Sequence, residues 1–131
     1  MIDVQKLKEL TNKAIQKEQE RQTDALKKEQ AAEERERKKH QLMAENIIAQ
    51  IEDKCVREAL MQRTHVIVMS LKDDRDYDRK IWPQTPNKQT IRGPGKIVFD
   101  FCEKEGLMPT IEYWHDGMGL ESGYNIIVRW N

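Results

Sequence analysis

No glycine occurs before Gly93 and no proline before Pro83, so the first 82 residues lack the two residue types that end helices and close tight turns. Aromatic residues are missing from the first 76 residues. All eight of them (Tyr77, Trp82, Phe99, Phe101, Tyr113, Trp114, Tyr124 and Trp130) lie from Tyr77 onward, where the glycines and prolines also lie. Large aromatic side chains dominate core burial, and the first half has none. The sequence therefore predicts a long helical rod over residues 1–62 and a small globular head over residues 63–131.

Charge of one sign is lacking too. Lys plus Arg and Asp plus Glu number 23 each, divided 14 to 13 up to Arg63 and 9 to 10 from Thr64 onward. A chain that tracks phosphates draws its affinity from a basic surplus, so the balance argues against nucleic acid. No apolar run approaches the length of a membrane span or a signal peptide, which predicts a soluble, cytoplasmic protein. The two cysteines, Cys55 and Cys102, share no metal-ligand spacing, and they read as buried free thiols in a reducing compartment.

What the first half contains is helical periodicity. Val4, Leu7, Leu10 and Ala14, joined by Ile2 and Ile15, recur at three- and four-residue steps and predict an oligomerisation seam. From Gln16 to Gln41 the stripe thins to Ala25, Leu26, Ala31 and Ala32. Here Glu33 with Arg37 and Glu34 with Lys38 offer acid-before-base pairs four residues apart, each contributing roughly 0.2–0.5 kcal/mol to a solvated helix. Ile47, Ile48, Ile51, Cys55, Val56, Ala59 and Leu60 then restore a dense stripe that needs a core to cover. One helix of about 60 residues would be about 90 Å long at 1.5 Å per residue. Its stability would come from packing, so the expected partner is a second copy in a coiled coil or another protein.

In the head, His65 to Leu71 is apolar on both parities and predicts an internal strand covered on both faces. A helix opens near Pro94 and ends at Gly106. Two strands follow, with Ile111, Tyr113 and His115 on one face of the first and Tyr124, Ile126, Val128 and Trp130 on one face of the second. Matching the apolar faces of an antiparallel pair demands an odd sum of opposed residue numbers. The register with Ile111 opposite Trp130, Glu112 opposite Arg129 and Trp114 opposite Ile127 satisfies this, and leaves Trp114 on an outer aromatic patch. The predicted class is α+β: a long N-terminal α-helix, then a β-α-β-β head with a mixed or antiparallel three-stranded sheet.

Three segments hold candidate sites. Arg92-Gly93-Pro94-Gly95-Lys96 puts two cations and two glycines at a helix N-terminus, where free N–H groups and the helix dipole favour an anion or nucleotide. It lacks the spacing of a phosphate-binding loop and does not directly follow a strand. The connection over residues 72–93 carries Trp82 between Ile81 and Pro83, an apolar anchor in a charged loop, and Trp82 and Trp114 are the predicted partner contacts. His115 to Gly123 offers one histidine and two acids, too few oxygens for calcium and no nucleophile, so no metal, no cofactor and no catalytic set is expected. The run from Glu105 to Trp130 resembles small bacteriophage proteins in character. The function read from these features is a non-enzymatic assembly or adaptor protein, with an anion- or nucleotide-binding module at Arg92 and Lys96 as the alternative.

Overall fold

The computed structural model describes residues 1–78 and 85–131 and is an α+β fold. Its elements are α1 (Val4–Leu60), β1 (His65–Leu71), α2 (Gly93–Lys104), β2 (Met108–His115) and β3 (Ser122–Arg129). Two compact units share the chain, Met1–Arg37 and Lys38–Asn131.

The first unit is the N-terminal part of α1. Asp3 caps it, its Oδ1 accepting the Lys6 N–H at 3.1 Å, which satisfies one of the free donors of a first helical turn. Every residue up to Lys39 is exposed. Short-range pairs of opposite charge support the polar stretch, one of them a residue off the predicted pairing. Arg37 bonds Glu34 three residues back, rather than Glu33, and Arg21 pairs with Glu18 at 2.6 Å.

The second unit is built on an antiparallel sheet in the order β1-β3-β2. Two sequence expectations need correction here. β1 is an edge strand, not an internal one: its apolar residues fall on both parities because a bulge between Ile67 and Met69 switches the pattern. Val68 and Met69 are consecutive and both buried, Leu71 follows them inward, and Ile67 is half exposed. The β2–β3 register is also displaced by four residues. Ile111 lies opposite Ile126, Glu112 opposite Asn125 and Trp114 opposite Gly123. An even displacement preserves which face each residue occupies, so Ile126 and Val128 still point into the core.

One apolar cluster holds this unit together. Val68, Met69 and Leu71 of β1, Val98, Phe99 and Cys102 of α2, and Ile126 and Val128 of β3 meet Ala44 and Ile51 of α1. Burying each large aliphatic or aromatic side chain contributes about 1.5–3 kcal/mol. α2 ends as the sequence predicts, with Gly106 at φ 84° and the Leu107 N–H returning to the Cys102 carbonyl at 3.0 Å. α1 ends without a glycine: Gln62 takes the left-handed conformation at φ 65° while the Arg63 N–H reaches Glu58 O at 2.9 Å. Pro109 sits in β2, an edge strand, where a missing N–H is tolerated.

Candidate functional site

The predicted seam residues Val4, Leu7 and Leu10 are each more than half exposed, as are Ile15 and Leu26, and Ala14 is exposed with them. They stand on the first unit without an apolar cover. This differs from residues 44–55, where the alternation of Ala44, Ile47, Ile48, Ile51 and Cys55 is packed against the core.

At the start of α2 the anion is part of the protein. Arg92 occupies the N-cap position in extended conformation and makes no side-chain cap. Asp76 supplies it instead, from nineteen residues upstream: its Oδ1 accepts the Gly95 N–H at 2.8 Å. Its Oδ2 accepts the Lys72 N–H at 2.7 Å and the Arg75 guanidinium at 2.8 and 3.1 Å. Asp76 is fully buried, and a buried carboxylate is tolerable only with this degree of pairing. The two glycines make room for the turn that carries it. A Cβ on Gly93, whose φ is +60°, would stand 2.5 Å from the Arg75 carbonyl oxygen, and one on Gly95 would stand 3.1 Å from the Asp76 carboxylate.

The two cations named from the sequence therefore have other bonds. The Arg92 guanidinium donates to Asp74 O at 3.0 Å. Lys96 Nζ donates to Lys88 O at 3.0 Å and pairs with Asp100 at 3.2 Å. Sequence reasoning missed Asp76 because it lies in the run Asp73-Asp74-Arg75-Asp76, where nothing marks one acid as internal.

Between the ends of the strands and the following connection lies a cleft of about 550 Å³. Tyr77, Tyr113 and Tyr124 line it in an edge-to-face chain, with ring centroids 5.4 and 5.6 Å apart. Tyr113 is on the core-facing parity of β2, yet it is 58% exposed. Trp114 also borders the cleft. It is half-buried and lies over Gly123, where a Cβ would come within 3.0 Å of its Nε1; the outer patch of Trp114 with Ile127 is not formed. Trp82, the other predicted partner contact, lies outside the described residues.

The loop between β2 and β3 is organised by a second acid. Asp116 accepts the N–H groups of Met118 at 2.9 Å and Glu121 at 3.0 Å, and these bonds, that of Met118 first, hold its carboxyl below the usual range. Gly117 and Gly119 take positive φ, and Met118 and Leu120 project at 80% exposure each. His115 is exposed at the strand end, its Nδ1 accepting the Gly117 N–H at 3.1 Å.

Both thiols are free. Cys102 is fully buried, and burial, with a smaller contribution from the neighbouring Cys55, pushes it up to about 12. Cys55 is half-buried rather than buried, and partial burial raises it as well. Among the described residues no helix is long and apolar enough to cross a membrane. No family model matches this chain, and no curated protein or solved structure matches it either.

Proposed function

We propose that this chain is a non-enzymatic assembly or adaptor protein that associates through the N-terminal part of α1 and offers a partner the surface of its second unit. The observation that carries the reading is the exposure of the whole N-terminal stretch of α1 together with its apolar stripe, Val4, Leu7, Leu10, Ile15 and Leu26. A solvated helix draws little stability from propensity and i,i+3 pairs alone. An apolar stripe held open in this way is what a docking helix presents. On the second unit, the cleft at Tyr113 and the projecting Met118 and Leu120 are the surfaces that suit a protein partner, since large side chains on a structured loop bury area at modest entropic cost.

The alternative, an anion or nucleotide at Arg92 and Lys96, draws less support, because Asp76 already occupies the start of α2 and both cations are engaged. For setting, we favour the cytoplasm or a bacteriophage particle, the former because two free thiols suit a reducing compartment. The test is charge substitution within the stripe. Leu7→Lys with Ile15→Lys should lower the mass of the full-length protein in solution and leave the melting of its second unit unchanged. An unchanged mass would remove the seam from the reading.

A further inference from the structure

The cleft beside the three tyrosines is lined in a way that suits an organic cation. Tyr113 and Tyr124 are directly opposed on β2 and β3, so both rings stand on one face of the sheet. Tyr77, from the connection after β1, meets Tyr124 edge to face at 83°, and Tyr124 meets Tyr113 at 62°. Rings turned across one another present π faces in several directions, as the walls of a cage do, and not as one flat platform. Trp114 adds a fourth ring at the border. The negative face of an aromatic ring attracts a cation within about 6 Å of its centroid. Centroids 5.4 and 5.6 Å apart bring two rings within that range of a single cation.

The charge of the lining has the matching sign. Asp73 and Asp78 are half-buried at the cleft, whereas Lys72, the one cation among its described lining residues, is exposed. An anion would meet two carboxylates against one solvent-facing lysine. A bare metal ion fits poorly as well. Among the described residues no group of three or more His, Cys, Asp or Glu is placed to hold one, and two acids supply too few oxygens to replace its hydration shell. An ammonium carrying methyl groups makes no such demand, because its methyl groups bury against the rings while its charge faces their π clouds and the acids. The volume, about 550 Å³, falls within the range of small-molecule sites, about 300–1,000 Å³.

We propose that this cleft binds a methylated ammonium group, carried by a free small molecule or by a lysine side chain of a partner. The second source rests on the adaptor reading above; the first does not, and neither depends on association through α1.

The test titrates the full-length protein with choline and follows the ring resonances of Tyr113 and Tyr124. A neutral isostere of choline, with carbon in place of the charged nitrogen, is titrated beside it. Saturable shifts with choline are expected, with binding about threefold or more tighter than that of the isostere. Tyr113→Leu changes a ring that is 58% exposed and should weaken choline binding about threefold, while Tyr113→Phe, which keeps the ring, should bind as the wild type does. Two peptides that differ only in trimethylation of one lysine separate the sources: tighter binding of the methylated peptide than of choline assigns the group to a partner chain, and the reverse assigns it to a small molecule. Choline bound no better than its isostere, no saturable shift with either, or unchanged choline affinity in Tyr113→Leu overturns the cation site. Association through α1 is then still judged on its own by the mass of the protein.

Discussion

Truncating Asp76 to alanine removes the acceptor for four donors: the Gly95 and Lys72 N–H groups and two nitrogens of Arg75. Breaking a buried, hydrogen-bonded charge pair costs about 3–5 kcal/mol because the partner is left uncompensated. Asp76→Ala should therefore lower the unfolding free energy by that order, read from the denaturant midpoint and slope. A change within the range of ordinary surface substitutions, about 0.5 kcal/mol, would show that Asp76 does not hold the start of α2. Asp116 differs, since its carboxylate is exposed and acts on its own loop. Its folded-state pKa is depressed, so its contribution to order is present above the unfolded value, near 3.9, and is lost as pH falls through the lower folded value. The amide resonances of Met118 and Glu121 should hold their hydrogen-bonded positions at neutral pH and move only below the ordinary carboxylate range. Movement centred at or above the ordinary value would contradict the depressed pKa. Neither role was legible in the sequence: the cap of Asp76 spans nineteen residues, and local pattern reading covers only the first turn of a helix.

At the level of elements, hydrophobic periodicity located α1, α2 and all three strands. Pro94 and Gly106 bracket α2, and the long breaker-free stretch gives α1 to within two residues of its end at Leu60. Side-chain parity was readable in β2 and β3, but register was not, because alternation with a period of two is blind to a slip of four. In β1, parity itself misled: a bulge that places Val68 and Met69 inward together imitates a strand covered on both faces. The corrected register changes what Trp114 does. Directly opposite Gly123 and resting on it, Trp114 makes a cross-strand contact worth up to about 1 kcal/mol. Trp130 packs against the core cluster, where truncation approaches about 3 kcal/mol. Thermal melts of Trp114→Ala and Trp130→Ala should show the larger loss for Trp130. The reverse order would contradict the observed register.

At the scale of the whole molecule, the two compact units differ in what they lack. The second, Lys38–Asn131, buries a shared apolar cluster and satisfies its internal acid. The first, Met1–Arg37, buries nothing and keeps Val4, Leu7, Leu10, Ile15 and Leu26 in solvent. The sequence could show that this stripe exists, but what covers it is not encoded in local pattern, because a packed helix and a waiting one share the same spacing. Association through the first unit is the central claim, and the mass of the unmodified full-length protein tests it most directly. Sedimentation equilibrium across a dilution series should give a multiple of the chain mass at high concentration and a reversible fall toward the 15.5 kDa monomer on dilution. A single species at the monomer mass at every concentration would contradict it.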